Sequence, residues 1–285
     1  MKLNFNIDYR TNWGESVYIV GHTPELGDGD ESRAVKLELD GVGLWSLSID
    51  VADETRDFDY RYIVRRDDGS TRYEWGRPHR FVVGCDVKSY EIYDRWQDQP
   101  YDKPYYSSVF VDCINRRDDR DESQSLYPGS VTLRVDAPMV GSDEVLALCG
   151  DDEAIGEWNP ENALVMNDSN FPEWSITLPN KEIHLPFRYK FVILDKATRK
   201  LLAWENGDNR VMNIIPEHKS SALVMGGMRF INSRPAWRGA GVAIPVFSVM
   251  MTSAWATSST LRRWSIGLLS QDRSSFRFCL STTPR

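Results

Sequence analysis

The sequence predicts an all-β protein made of two antiparallel β-sandwich domains in tandem. Three observations carry this expectation: a self-similarity at a constant offset of 129 residues, apolar residues that alternate with polar ones at period two, and Gly, Pro and Asp clusters that punctuate short segments with almost no helical periodicity. A length of 285 residues accommodates two such units.

The repeat is read from matching segments. Leu44-Trp45-Ser46-Leu47-Ser48-Ile49 matches Glu173-Trp174-Ser175-Ile176-Thr177-Leu178, and Phe58-Asp59-Tyr60-Arg61-Tyr62-Ile63-Val64 matches Phe187-Arg188-Tyr189-Lys190-Phe191-Val192-Ile193. Leu26-Gly27 against Ile155-Gly156, Ala34 against Ala163 and Trp75 against Trp204 share the offset of 129. A repeat this long is a domain duplication rather than a solenoid.

Alternation assigns the faces of each strand. Trp45, Leu47, Ile49 and Val51 form one inward row, and Phe58, Tyr60, Tyr62 and Val64 another; Trp174, Ile176, Leu178 and Phe187, Tyr189, Phe191, Ile193 repeat them. Trp45 and Trp174 are therefore core residues. Arg116 to Ser125 is a polar run with no apolar residue, read as linker. The expected organisation is a first domain over 1–115, a linker over 116–128 and a second domain over 129–233.

Composition narrows the function. With 34 basic and 42 acidic side chains the chain carries a net charge of −8, which disfavours nucleic acid as a partner. There is no stretch of eighteen apolar residues and no signal-peptide-like N-terminus, so membrane partners are not expected and the reading is a soluble cytoplasmic protein. Cys85, Cys113, Cys149 and Cys279 are scattered without metal-ligand spacing and read as reduced thiols. His22, His79, His184 and His218 are isolated, and Asp28, Asp30 and Glu31 lack a full calcium-loop pattern, so no metal or cofactor is expected.

Candidate function gathers on the second copy. Trp158 lies in the turn-like Ile155-Gly156-Glu157-Trp158-Asn159-Pro160, where no strand period buries it, so it is either a lid over the core or an exposed platform. Trp204 ends a strand that leads into Glu205-Asn206-Gly207-Asp208-Asn209-Arg210, and Lys190 points outward between Tyr189 and Phe191. A pyranose has a C–H face that stacks on an aromatic ring and hydroxyls that need donors and acceptors, which Lys190, Glu205 and Asn209 supply. The alternatives are a solvated lysine and ordinary surface polar groups.

Both copies resemble the starch-binding domain of carbohydrate-binding module family 20. The second copy carries the motif set as Ile155-Gly156-Glu157-Trp158, Trp174, Phe187-Arg188-Tyr189-Lys190-Phe191, Trp204-Glu205 and Asn209-Arg210. The resemblance implies an immunoglobulin-like β-sandwich, with Trp158 and Trp204 as the stacking pair of the main glucan site and Lys190 and Asn209 bonding the sugar. In the first copy Gly29 stands where Trp158 is in the second, Arg61 stands for Lys190, and Pro78-His79-Arg80 stands for Asn-Arg. By the constant offset only Trp75 survives of the stacking pair there, so that site is expected to be weak or lost. Trp13 falls where the family's second glucan site carries an aromatic, and the second copy has Ser142 at that place. The implied partners are starch, glycogen or maltooligosaccharides.

The tandem also resembles the N-terminal part of certain 4-α-glucanotransferases (amylomaltases, disproportionating enzymes), with residues 234–248 as the lead-in to a barrel that carries the catalytic carboxylates. Residues 249–285 depart from it. They hold five arginines and one aspartate, a net charge of +4, which leaves −12 on the remainder. Read one base out of frame, the codons of this stretch permit Asp-Asp-Phe-Gly-Val-Gly-Asp-Phe-Phe-Asp, similar to the family's barrel start, so the segment is expected to be an out-of-frame, disordered tail that sequencing of the gene tests. Three functions follow: a non-catalytic glucan-binding tandem, the full glucanotransferase if the tail is a sequence error, and a β-sandwich scaffold for another protein.

Overall fold

The computed structural model describes residues 1–41, 43–117, 125–216 and 218–232. The expected barrel lead-in, the out-of-frame tail and most of the polar run lie outside these residues. Among the described residues, the first copy has β1 (Lys2–Asp8), β2 (Glu15–Gly21), β3 (Val35–Lys36), β4 (Glu38–Leu39), β5 (Leu44–Asp50), β6 (Phe58–Arg66), β7 (Thr71–Tyr73), β8 (His79–Phe81) and β9 (Ser89–Arg95), nine strands in all. Eight make up the second: β10 (Ser130–Asp136), β11 (Glu144–Gly150), β12 (Leu164–Val165), β13 (Glu173–Pro179), β14 (Phe187–Asp195), β15 (Leu201–Trp204), β16 (Arg210–Met212) and β17 (Ser221–Arg229).

The alternation read from the sequence becomes the interior. Phe58, Tyr60, Tyr62 and Val64 on β6 and Phe187, Tyr189, Phe191 and Ile193 on β14 are buried, as are Trp45 and Trp174. In each copy the inward rows of two sheets meet to form a sandwich core. One sheet of the first copy runs β3-β2-β6-β7 with β8 on β6, and its counterpart in the second runs β12-β11-β14-β15 with β16 on β14.

The other sheet is shared. Seven strands run β13-β10-β17-β9-β1-β5-β4, and the joint is a parallel pairing of β17 with β9 from Ser221 opposite Ser89 to Met225 opposite Tyr93. Tyr90, Ile92, Ala222 and Val224 enter the first core, whereas Leu223, Met225 and Tyr93 pack on the second. Successive side chains of a strand point to opposite faces. The two cores therefore lie on opposite faces of one continuous sheet, and β17 is apolar along both faces, as a parallel strand covered on both sides must be.

The described ends of the stretch read as linker are anchored in the two copies, at residues that the sequence reading leaves free. Val111 belongs to the second core, and Arg117 follows it inward, 6% exposed, with its guanidinium between Phe171 and Trp174 at 4.9 and 4.4 Å from the ring centroids. On the far side of the undescribed stretch, Leu126 is buried in the first core and its carbonyl accepts from the Cys85 amide. Charge hides Arg117 from any apolar pattern, because a guanidinium enters a core when a carboxylate and carbonyls meet it.

At the joint a cavity of about 70 Å³ is lined by Trp75, Arg77 and His79 of the first copy and Asp136, Glu173 and Arg229 of the second, among others. Arg229 Nη2 donates to Gln97 Oε1 at 2.8 Å and Arg77 Nη1 to the Phe171 carbonyl at 3.5 Å, so both copies bind across it. Burial, reinforced by Glu173, pushes the Asp136 carboxyl from 3.8 up to about 7, against the opposing pull of Arg229, His79 and Arg77. A carboxyl with a raised folded pKa holds a proton that the unfolded chain gives up, so stability falls as pH rises from about 4 to about 7. His79 adds in the same direction: burial pulls its pKa down, but Glu74 and Asp94 overcome this and lift it well above 6.5. Asp136→Asn is expected to flatten the loss of thermal stability between pH 5 and pH 8, by at most about 3 kcal/mol. An unchanged pH slope in the variant would show that Asp136 ionises freely.

Candidate functional site

The loop after β11 builds the site. Asp152 accepts from the Ala154 amide at 2.9 Å to start a short 3-10 turn, Gly156 ends it with φ of 91°, and Glu157 and Trp158 continue at 48° and 60°. Left-handed backbone is costly for a bulky residue, and the Trp158 amide offsets it by donating to the Gly150 carbonyl at 2.6 Å. Gly150 is required there: a Cβ would come within 2.3 Å of the Arg188 carbonyl oxygen and of Ile155. The turn delivers the Trp158 indole to Trp204, which stands opposite Val192 on the outward row of β14. The rings lie 6.2 Å apart at 47°, each partly exposed, and Trp204 also packs against the second core.

Polar groups accompany the two rings. Lys190 Nζ donates to the Gly207 carbonyl at 2.6 Å and the Glu205 carbonyl at 3.2 Å, fastening the loop after β15. Asn209 is exposed. Glu205 departs from the expectation that it faces the sugar. It is 4% exposed, and its carboxylate accepts from Arg210 Nη2 at 2.6 Å, Arg210 Nε at 3.0 Å and the Phe191 amide at 3.4 Å. With both oxygens occupied below the sheet, Glu205 is a positioning residue for the turn that carries Asn209. Glu205→Ala is expected to lower stability by about 3 kcal/mol or more by stranding Arg210, whereas Asn209→Ala costs about 0.5 kcal/mol or less. Thermal unfolding separates them; equal losses of stability would contradict this division.

The first copy keeps the scaffold but changes the contacts. Asp28 and Gly29 repeat the left-handed pair at 53° and 79°, and the Gly29 amide donates to the Gly21 carbonyl at 2.8 Å, so the loop is intact without its indole. The partner of Trp204 is Tyr73 and not Trp75, a correction to the constant-offset reading. Tyr73 pairs with Ile63 on β6 as Trp204 pairs with Val192 on β14. The second copy inserts one residue in the turn between β14 and β15, and a bulge between Ile193 and Leu194 accommodates another, so the offset becomes 131 beyond them. Arg61 Nη2 accordingly donates to the Gly76 carbonyl at 3.0 Å, as Lys190 does to Gly207. His79 takes the place of Arg210, its Nε2 3.2 Å from Glu74 and its Nδ1 3.5 Å from Asp94. Tyr60 and Tyr62 hydroxyls donate to Asp94 at 2.6 and 3.1 Å.

Trp75 instead packs edge-on against Tyr106 at 5.2 Å in the inter-copy cavity. Trp13 stands on the turn between β1 and β2, fully exposed at 104%. The structure thus brings Trp158 and Trp204 together, with Lys190 fastening the loop after β15 that carries the exposed Asn209, and separates Trp75 and Trp13 from that group. Sequence reasoning missed Tyr73 and the Glu205–Arg210 pair, for which the five-residue spacing shared by Glu74-His79 and Glu205-Arg210 was the available signal.

Comparison with known proteins bears on this geometry. A family model described as starch binding domain matches residues 1–92 and 129–224. The chain is 27% identical over 265 residues to the 4-alpha-glucanotransferase DPE2 of Oryza sativa subsp. japonica, covering 87% of this chain and 28% of that enzyme. It is 30% identical over 81 residues to glucoamylase-1 of Schizophyllum commune, covering 28% of this chain and 13% of the fungal protein. Among solved structures, the family 20 module of a maltotetraose-forming amylase from Pseudomonas saccharophila STB07 matches with 20% identity and a TM-score of 0.28, over 34% of this chain and 98% of that domain. This chain spans under a third of the length of both named enzymes.

Proposed function

The chain belongs to the starch binding domain family, and on that premise we propose that its second copy binds α-1,4-glucans such as starch, glycogen and maltooligosaccharides. The observation that carries the reading is the pair of partly exposed indoles, Trp158 and Trp204, 6.2 Å apart on an outward sheet face. Their faces take the C–H surfaces of successive pyranoses, and Lys190 and Asn209 meet the hydroxyls. Trp13 offers the first copy one further aromatic contact.

The alignment of 87% of this chain with the rice glucanotransferase supports a second element of the proposal: the tandem is the non-catalytic glucan-binding part of an enzyme of that type. Binding and transfer then separate experimentally. Incubated with insoluble starch, the 285-residue chain is expected to be retained and released by soluble maltodextrin, while leaving maltotriose undisproportionated. Failure to be retained would favour the scaffold reading, and disproportionation would show that the chain itself is the transferase.

A further inference from the structure

The shared sheet fixes where the two outward faces point. Because β17 and β9 send alternate side chains into cores on opposite faces, the sheet containing β6 and β7 covers one face of the seven strands and the sheet containing β14 and β15 covers the other. Arg61 and Tyr73 stand on the outer surface of the first, Lys190 and Trp204 on the outer surface of the second. These surfaces look away from one another. The joint holds them there, since the parallel pairing is supplemented by Arg229 on Gln97 at 2.8 Å, Arg134 on the Arg80 carbonyl at 2.5 Å and Arg77 on the Phe171 carbonyl at 3.5 Å.

The first copy's surface retains a ligand-sized contact. Tyr73 is 50% exposed, with its hydroxyl donating to Glu31 Oε2 at 2.9 Å, and Arg61 lies on the same outward row. One phenol ring and one guanidinium form a platform for a single pyranose, shallower than the paired indoles because Gly29 leaves the second ring out.

We propose that this Tyr73 face is a second, weaker α-glucan contact, and that the tandem bridges two glucan chains rather than gripping one chain with both copies. A strand lying flat on the Trp158–Trp204 face runs away from Tyr73, so simultaneous engagement of one short chain is geometrically excluded and the second site gains nothing in effective concentration from the first. The proposal rests on glucan binding by the second copy.

A two-layer capture assay tests it. Protein retained on washed starch granules is exposed to soluble fluorescein-labelled amylose, with protein-free granules as the blank. The wild type is expected to hold labelled amylose above the blank, Tyr73→Ala to remain on the granules but hold at least five-fold less, and Tyr73→Trp to hold as much as the wild type or more. Wild-type protein that is retained yet captures no labelled amylose, or a Tyr73→Ala variant that captures as much as the wild type, overturns bridging alone. A Tyr73→Trp variant as depleted as the alanine one also overturns it, by showing that the tyrosine acts through packing. Wild-type protein that is not retained on granules overturns the binding reading beneath it.

Discussion

Replacing both Trp158 and Trp204 with alanine abolishes measurable maltoheptaose binding in the present account, and Trp204→Ala alone lowers the affinity at least about ten-fold, roughly 1.4 kcal/mol. A shallow site on a sheet face has few hydrogen bonds to spend, and those it has are exchanged against water, so the apolar contact of ring on sugar carries most of the net free energy. In the proposed site that contact comes from Trp158 and Trp204, whose rings are tilted at 47° to one another. Both indoles are partly exposed, unlike Trp174 at 0%, and only Trp204 packs against the second core, so the expected loss is chiefly one of affinity, with a modest stability cost for Trp204→Ala. Calorimetric titration of the single and double variants, beside their melting temperatures, decides the matter. Affinity within two-fold of the wild type in the double variant would place the site elsewhere.

Arg117→Ala carries the largest expected effect on stability. The side chain is 2% exposed, its Nη1 donates to Asp168 at 3.0 Å and to the Glu144 carbonyl at 3.1 Å, and its Nη2 to the carbonyls of Gly141 and Val140 at 2.8 and 3.3 Å. Truncation strips a buried carboxylate of its countercharge, takes a donor from three carbonyls and opens a slot between Phe171 and Trp174. Breaking a buried pair on one side costs about 3–5 kcal/mol, a large share of the ~5–15 kcal/mol that holds a domain together. Urea unfolding is expected to show that loss for alanine and a smaller one for Arg117→Lys, which keeps the charge but not the planar fork. A loss under about 1 kcal/mol for alanine would mean that water replaces the guanidinium freely.

Much of this architecture was legible in the residues themselves. Period-two rows such as Phe187, Tyr189, Phe191 and Ile193 leave one face to bury, and the copies match over most of their length, so two sandwiches and the outward placement of Lys190 follow from pattern alone. Trp158 was visible as an indole on a turn. What pattern does not carry is register beyond an insertion: a single bulge beside Leu194 and a longer turn move the equivalent of Trp204 from Trp75 to Tyr73. Nor does it carry the side on which a charge finds its partner. Glu205 and Arg117 read as surface groups because ionised side chains are usually solvated, and both are turned inward by partners distant or unremarkable in sequence. The parallel joint of β9 and β17 escaped for a related reason, since the apolar run Ala222 to Met225 is equally suited to one covered face or two.

Maltoheptaose titration followed by intrinsic tryptophan fluorescence reads glucan binding at the indoles themselves, because the proposed contacts are the reporters. A saturable change in emission is expected for the wild type and none for the Trp158→Ala/Trp204→Ala variant. No saturable change in the wild type, or the same saturation curve in the double variant, would contradict binding at these indoles.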